Sequence, residues 1–212
     1  MKVAVCFHGQ PRALTTSVLD LFPGADVFAH AWYDGSGSYD DVGLTDASYS
    51  VALPRSYISD MFAALGPRKC VLEPPPAPGR ATFGDFGKVK PGHVAPMCQS
   101  IARSLALARQ TDDYDWYVKA RYDVVVAADR APIALEDDGV VYAADVRSGL
   151  PDPVVMAIPR TFVDAFADVA SYMGGAIGIE EHIMASIAAE HGFEFRSLGL
   201  GYTIDRETFR RK

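Results

Sequence analysis

The sequence predicts an α/β fold with a mostly parallel open sheet flanked by helices. The chain opens on an apolar strand pattern, Lys2–Phe7, that runs directly into the polar residues GQPR, as a strand covered on both faces does. Predicted strands and helices then alternate almost throughout, which favours an open sheet over a sandwich or a bundle. With 212 residues, 49% of them hydrophobic, one sizeable core is enough, so we expect a single domain over residues 1–212.

The first half of the chain follows this alternation. Helices are predicted at Ala13–Phe22 and Ser56–Leu65, and strands at Ala25–Tyr33 and Arg68–Glu73. The polar, glycine-containing segment Asp34–Ser50 predicts a long loop on one side of the sheet.

A second predicted loop, Glu73–Pro96, interrupts all periodicity. It contains six prolines and four glycines in EPPPAPGRATFGDFGKVKPGHVAP. A loop of this length inside a compact domain is typical of an active-site lid or a binding loop, and the alternative is a disordered connection.

The second half begins with the clearest helix, in which Met97, Ile101, Leu105 and Ala108 recur at helical spacing. The segment Tyr114–Val126 follows and is predicted as one buried strand. Beyond it, the sequence predicts short strands at VVYAAD and DPVVMAIP, helices marked by Phe162–Met173 and Ile179–Ile187, and one or two final strands in FEFRSLGLGYTI.

Composition narrows the function classes. The net charge of −7 and the pI near 5.2 argue against sequence-independent nucleic-acid binding, which depends on clustered Lys and Arg. Cys6, Cys70 and Cys98 are far apart and form no CxxC pair, so we expect reduced thiols. The apolar run after Lys2 is too short for a signal peptide, and no segment predicts a transmembrane helix. We therefore expect a cytoplasmic protein.

The first candidate site follows the first predicted strand. Ligands of open α/β sheets bind outside the carboxyl ends of the strands, and His8, Gly9, Gln10 and Arg12 lie there. Gly9 would let the backbone approach a ligand closely, and Arg12 offers a bidentate fork to phosphate. The alternative is an ordinary strand-to-helix turn. The spacing matches neither the dinucleotide fingerprint nor the P-loop.

The second candidate site lies near the end of the strand predicted at Tyr114–Val126. Its alternation places Trp116, Val118 and Ala120 on one face, and Tyr117, Lys119 and Arg121 on the other. The two cations beside Asp123 predict a grip on a nucleotide diphosphate and its Mg²⁺, since that ion needs few protein ligands when phosphates supply the rest. The alternative is that Lys119 and Arg121 pair with acids of neighbouring elements.

Carboxylates elsewhere supply candidates for proton transfer. Glu180 and Glu181 open a predicted helix, where the helix dipole favours acidic residues without any function. If this helix points its N-terminus at the ligand cleft, one of them becomes a candidate base. Asp152, in LPDPVV, is a turn residue in the simplest interpretation and a further candidate base in the functional one.

Taken in order, these segments resemble a known family. The chain resembles small GT-A-type glycosyltransferase-like proteins, associated with capsule, lipopolysaccharide and viral glycan synthesis. The segments that carry the resemblance are CFHGQPR, DVFAHAW, QSIARSLALARQTDDYDWYVKARYD, DPVVMAIPR and EEHIMASIAAEHGFEF. Together they span most of the chain, from Val3 to Phe195.

The resemblance implies a GT-A-like fold, a nucleotide-sugar donor for which UDP is the first expectation, Mn²⁺ or Mg²⁺ on its diphosphate, and a glycan or glycoconjugate acceptor. Gly9, Gln10 and Arg12 match the nucleotide loop of the family. The residues that stand where GT-A enzymes usually carry a DxD motif are Arg121, Tyr122 and Asp123.

The motif departs from the family pattern at its first acid, which is Arg121 here. A metal would then be held by Asp123 alone, or its neutralising role would be shared with Lys119 and Arg121. Strict metal dependence is therefore an open question at this point.

The expected chemistry needs charge stabilisation and a base. Breaking a sugar–phosphate bond places negative charge on the leaving diphosphate, which a metal, arginine and lysine stabilise. An inverting enzyme also needs a carboxylate to deprotonate the acceptor hydroxyl, and the candidates are Asp152, Glu181 and Glu180. A retaining enzyme would use its carboxylates differently. Two other functions stay open: a catalytically silent nucleotide- or sugar-binding module, and a nucleotidyltransferase.

Overall fold

A computed structural model describes residues 1–9, 11, 15–33, 38–42, 48–52, 55–74, 91–169 and 180–205. The strands are β1 (Val3–Gly9), β2 (Asp26–Trp32), β3 (Ser38–Val42), β4 (Ser48–Ala52), β5 (Lys69–Glu73), β6 (Trp116–Arg121), β7 (Val124–Val126), β8 (Val140–Ala143), β9 (Val146–Arg147), β10 (Leu150–Pro151), β11 (Val155–Pro159), β12 (Glu194–Ser197) and β13 (Tyr202–Ile204). The helices are α1 (Ser17–Leu21), α2 (Arg55–Leu65), α3 (Pro91–Arg109), α4 (Val163–Ala167), preceded by a 3₁₀ turn at Arg160–Phe162, and α5 (Glu180–His191).

Seven of the described strands form one sheet, in the order β12-β8-β11-β6-β1-β2-β5. Strand β11 runs antiparallel to both of its neighbours, β6 and β8, and the other neighbouring pairs are parallel. This arrangement confirms the predicted α/β class with a mostly parallel sheet.

The sheet order creates a switch point beside β1. The chain continues from β1 to β2 and β5 on one side, and then returns through α3 to place β6 on the other side of β1. In open α/β sheets a ligand crevice forms outside the carboxyl ends of the two strands that flank such a point. The carboxyl ends of β1 and β6 therefore mark the place to look for a site.

Each face of the sheet packs against its own set of helices. On one face, Phe7 of β1 and Val118 of β6 belong to a core that includes residues of α1 and α2. On the other face, Cys6 of β1 and Tyr117 of β6 belong to a core formed with α3, α4 and α5. Because side chains alternate along a strand, His8, Lys119 and Arg121 lie on this second face.

One predicted strand is two strands in the structure. The segment Tyr114–Val126 forms β6 up to Arg121, turns at Tyr122 and Asp123, and resumes as β7, which pairs with β13 outside the main sheet. The prediction of one continuous strand was wrong because β13 supplies a separate antiparallel partner for the three valines of β7. Asp123 consequently lies in a turn at the sheet edge.

Other boundaries also differ from prediction. The segment Asp34–Ser50 includes β3 and part of β4, which pair as an antiparallel hairpin, so the expectation of a plain loop was wrong. Helix α3 begins at Pro91 and contains Pro96, although the sequence predicted its start after Pro96. Pro91 occupies the first position of the helix, where the missing N–H costs least, whereas Pro96 lies in the second turn and removes one intrahelical hydrogen bond. Residues 75–90 of the predicted lid, and 170–173 of the helix predicted at Phe162–Met173, lie outside the described residues. No helix in the described part is both long and apolar enough to cross a membrane.

Candidate functional site

Four parts of the chain meet at the carboxyl edge of the central strands. Strands β1 and β6 end there, at Gly9 and Arg121. Because β11 runs in the opposite direction, the turn before it, which contains Asp152, lies at the same edge. Helix α5 begins nearby, since Glu180 contacts a side chain of β6. Most of the charged residues singled out by the sequence are therefore neighbours in space.

Lys119 is fully buried and forms an ion pair with an acidic side chain. Its side chain is 0% exposed, and its Nζ donates to Glu180 Oε1 at 2.5 Å and to the carbonyl oxygen of Pro153 at 2.5 Å. A buried ammonium is tolerated when it is paired and hydrogen-bonded in this way. The pair attaches the start of α5 to the middle of the sheet.

Arg121 and Asp123 form a bidentate ion pair across the turn. Arg121 Nε donates to Asp123 Oδ1 at 2.9 Å, and Nη2 donates to Oδ2 at 2.6 Å. Burial alone would lower the pKa of Arg121, but Asp123, and then Glu180 and Tyr202, raise it above its usual value. The Arg121 side chain keeps 31% exposure, so this cation is reachable from solvent.

Asp152 is held by a tyrosine and by its own turn. The Tyr202 hydroxyl donates to Asp152 Oδ2 at 2.5 Å, and the Val154 amide donates to Oδ1 at 3.2 Å. Burial and the hydrogen bond to Asp152 both raise the pKa of the Tyr202 hydroxyl. The Asp152 carboxylate therefore has both oxygens hydrogen-bonded and a fixed orientation.

Glu181 occupies the second position of α5 and is half-buried. Burial raises the pKa of its carboxyl above the usual 4.5, and the neighbouring carboxylates of Glu180 and Asp152 raise it further. A carboxylate with a raised pKa is a stronger base than an ordinary one, and such groups concentrate at functional sites.

His8 is the least satisfied polar residue among those described at this edge. It is 1% exposed, and neither ring nitrogen has a hydrogen-bond partner among the described residues. Burial lowers the pKa of His8 well below 6.5, and the charges of Lys119, Arg121 and His30 lower it further. The imidazole is therefore neutral at pH 7, with one potential donor and one potential acceptor.

The neighbouring His30 is fully satisfied. His30 lies opposite His8 in the register of β1 and β2. Its Nε2 lies 2.7 Å from Glu73 Oε1, and its Nδ1 lies 2.7 Å from Ser100 Oγ. Because a carboxylate only accepts, we assign the proton to Nε2, so that Nδ1 accepts from the Ser100 hydroxyl. Ser100 Oγ also accepts from the Gly9 amide at 2.7 Å, which fixes the end of β1.

Gly9 needs its lack of a side chain. Its φ of +102° lies in the region that side chains rarely adopt, and no atom of a described residue lies within 4 Å of the place where a Cβ would be. The strand end is therefore open as well as fixed.

The structure brings together six of the predicted charged residues. The six are Lys119, Arg121, Asp123, Asp152, Glu180 and Glu181. Tyr122 is different, because its ring stacks on Phe7 in the core of the opposite face, at 5.6 Å between centroids, and its buried hydroxyl has no partner among the described residues. Gln10 and Arg12 lie outside the described residues.

Sequence reasoning placed His8 in the first candidate site without giving it a role, and it missed two residues at this edge, Ser100 and Tyr202. The alternation Ala4, Cys6, His8 did indicate that His8 shares a face with Lys119, once the register of β1 and β6 is known. No local signal marks Ser100 or Tyr202. Their partners are distant in sequence, 91 residues away for Ser100 and Gly9, and 50 for Tyr202 and Asp152.

The described side chains do not fit a divalent cation at Asp123. Both carboxylate oxygens already accept from Arg121, whose positive charge would repel a metal bound at the same oxygens. Within the described part of the chain, no group of three or more His, Cys, Asp or Glu side chains is placed to hold a metal ion. The assignment of Mn²⁺ or Mg²⁺ to Asp123 stays a prediction that the structure does not favour.

Comparisons with known proteins add the following. No protein-family model matches the sequence, and no curated protein matches it. One similar solved structure is a glycosyltransferase involved in the glycosylation of the major capsid of PBCV-1, with a TM-score of 0.46, 11% identity, and coverage of 93% of this chain and 82% of that chain. Another is the inositol-1-phosphate CTP transferase from T. maritima, with a TM-score of 0.45, 8% identity, and coverage of 99% and 94%.

A third similar structure is the nucleoside-diphosphate-sugar pyrophosphorylase from Vibrio cholerae RC9. Its TM-score is 0.45, its identity 9%, and the coverage 92% of this chain and 90% of that chain. Likeness at this level concerns the arrangement of helices and strands and carries no argument about activity. The function of this chain therefore has to be argued from its own residues.

Proposed function

We propose that the chain is a glycosyltransferase, which binds a nucleotide-sugar donor at the carboxyl edge of β1 and β6 and transfers the sugar to a glycan or glycoconjugate acceptor. The observation that carries the proposal is the meeting of Lys119, Arg121, Asp152 and Glu181 at the switch point of the sheet. Cations and a carboxylate base are the two kinds of group that this chemistry needs in one place.

Arg121 would act on the leaving group. As the bond between sugar and phosphate breaks, negative charge grows on the diphosphate, and a fixed positive group stabilises it in the transition state. Arg121 is the cation that a ligand can reach among the described residues of this edge, and UDP is our first expectation for the leaving diphosphate. The charge of Lys119 is compensated by Glu180. We therefore assign this pair to holding the start of α5 and to setting the electrostatic potential around the site.

Among the three candidate carboxylates, Glu181 is our choice for the base. Glu180 accepts from Lys119, and Asp152 accepts from Tyr202, so both are occupied. Glu181 is half-buried, and its raised pKa suits the removal of a proton from an acceptor hydroxyl at neutral pH. A divalent cation, if one is used, would lie on the diphosphate and not displace Arg121 from Asp123.

The test is turnover of a donor set by the purified protein, followed by the pH profile of the active one. We expect Glu181→Gln to lower kcat by about 10²–10⁴-fold with donor affinity unchanged, because the substitution keeps size and polarity but removes the base. We also expect kcat in the wild type to rise with pH through a pKa above 4.5, the usual value for glutamate. Glu190→Gln, on the exposed side of the same helix, is the matched control.

Unchanged turnover in Glu181→Gln would remove Glu181 from the reaction. A retaining reaction stays open for that case, with the role of base passing to another group.

A second candidate function is nucleotide or sugar binding without turnover. It is favoured by one observation, that the carboxylates of Asp123 and Glu180 are both engaged by cations of the same edge. Nucleotide binding without consumption of any donor, in the presence of glycan acceptors, would support this second candidate over transfer. A nucleotidyltransferase would instead release pyrophosphate, which product analysis distinguishes.

A further inference from the structure

The ion pair between Arg121 and Asp123 uses only part of the hydrogen-bonding capacity of the guanidinium. A guanidinium carries five N–H donors in a fixed plane, and Asp123 takes two of them, one from Nε and one from Nη2. The other three donors have no hydrogen-bond partner among the described residues, and they lie on the edge of the guanidinium that Asp123 does not occupy. The Asp123 carboxylate therefore orients Arg121 and leaves the outer part of its fork available.

Arg121 is also the cation of this cluster that a ligand can reach. Lys119 is 0% exposed and forms an ion pair with Glu180, whereas the Arg121 side chain is 31% exposed. The other nitrogen-bearing group beside it, the His8 imidazole, is neutral at pH 7 and buried. Arg121, which is partly exposed and has donors beyond those that Asp123 takes, is a suitable partner for a diphosphate, which arginine recognises through paired hydrogen bonds.

We propose that Arg121, oriented by Asp123, binds the diphosphate of the ligand directly, and that this binding does not require a divalent cation. The inference rests on the proposed function. It changes the role of Asp123 from metal ligand to positioning residue for Arg121.

The two roles of Asp123 predict opposite results for one substitution. If Asp123 binds a metal, Asp123→Asn removes the ligand charge, and nucleotide binding is lost. If Asp123 orients Arg121, the asparagine side-chain oxygen still accepts a hydrogen bond from Arg121, and the charge of Arg121 is no longer offset by a carboxylate beside it. Nucleotide binding should then be retained or become tighter.

The experiment is a calorimetric titration of the full chain with UDP and, separately, GDP, in EDTA and then with Mn²⁺. We expect one nucleotide to bind with a Kd that differs by less than about threefold between the two conditions. Arg121→Gln should weaken that binding by about tenfold or more, the size expected for loss of a charge-assisted hydrogen bond. Asp123→Asn should bind at least as tightly as the wild type.

A matched control is available at the opposite edge of the sheet. Arg160 forms an exposed ion pair with Asp113, with 3.0 Å between Nη2 and Oδ1. Arg160→Gln removes the same charge from the same residue type and should leave nucleotide binding unchanged. Circular dichroism spectra of the variants check that each is folded.

Two other outcomes would contradict the proposal, and each has a different consequence. Binding that appears only with Mn²⁺ and disappears in Asp123→Asn would overturn this inference and leave the proposed function standing. No binding of either nucleotide by the folded wild type, in either condition, would overturn the proposed function and this inference with it.

Discussion

The two ends of the central strands treat charge in opposite ways. At the amino end, Lys2 pairs with Asp112, and Arg68 pairs with Asp26, with side chains between 31% and 47% exposed. At the carboxyl end, the Lys119–Glu180 pair is buried. Exposed pairs are inexpensive and contribute little, whereas buried pairs carry a desolvation cost of several kcal/mol per ion.

This difference indicates where function lies. A protein gains no stability from burying a lysine, a glutamate and a histidine that has no partner among the described residues, because apolar residues of the same size would pack as well. Groups that are expensive to bury and concentrated at the switch point of the sheet are more readily explained by ligand chemistry than by folding. The amino end needs no such explanation.

The largest expected effect on stability comes from breaking the buried Lys119–Glu180 pair. Glu180→Ala leaves the Lys119 ammonium buried without its counter-charge, and we expect the free energy of unfolding to fall by about 3–5 kcal/mol. Urea denaturation measures it. The matched substitution at the other end, Asp112→Ala, should leave the denaturation midpoint within measurement scatter, since its partner Lys2 is exposed.

The double substitution Lys119→Met with Glu180→Leu separates charge from packing. It should recover most of the stability lost in Glu180→Ala, because no buried charge is left unpaired. An equal loss of stability in Glu180→Ala and Asp112→Ala would break the comparison between the two ends.

A smaller effect is expected from two histidines that lie opposite each other in the register. His30 bonds to Ser100 and Glu73, and His30→Leu should lower the free energy of unfolding by about 1–3 kcal/mol, because it removes both hydrogen bonds of a buried ring. His8 has no partner among the described residues, so His8→Leu should raise it by about 1 kcal/mol. If the two substitutions change the free energy of unfolding in opposite directions, His30 contributes to stability and His8 does not. Such a result would support a role for His8 in ligand binding.

The pH dependence of stability has a definite sign for the same pair. Burial lowers the pKa of both His8 and His30 below the 6.5 of the unfolded chain, so the unfolded state binds more protons in the window below pH 6.5. Stability should therefore fall as the pH drops below 6.5, and the slope should be smaller in His8→Leu. A slope unchanged by that substitution would mean that His8 is not buried as a neutral group.

The sequence predicted the faces of β6 correctly but not the partners of its charges. The period of two in WYVKAR separates Trp116 and Val118 from Lys119 and Arg121, because successive side chains of any strand point to opposite faces. The start of α5 at Glu180 was also predictable from its acidic first turn. That Lys119 meets Glu180, 61 residues away, depends on the order of the strands, which one sequence does not contain.

The failures have the same origin. Three valines after Asp123 look like a continuation of β6, and only their pairing with β13 shows that the strand has ended. That His8 has no hydrogen-bond partner among the described residues likewise depends on what surrounds it in space and not on its neighbours in the sequence. The local sequence pattern therefore predicted which charged residues lie at the carboxyl edge. Tertiary structure determines which of them are engaged in ion pairs and which can contact a ligand.

The most direct test of the central claim is to map the nucleotide on the two ends of the sheet. We would record amide chemical shifts of isotopically labelled protein during titration with UDP and with GDP. The account predicts that one nucleotide shifts the amides of Gly9, Arg121, Asp123 and Glu181, and leaves those of Lys2, Asp112 and Asp115 unchanged. Shifts confined to the amino end, or to the groove of about 160 Å³ beside Val71 and Leu107, would contradict it.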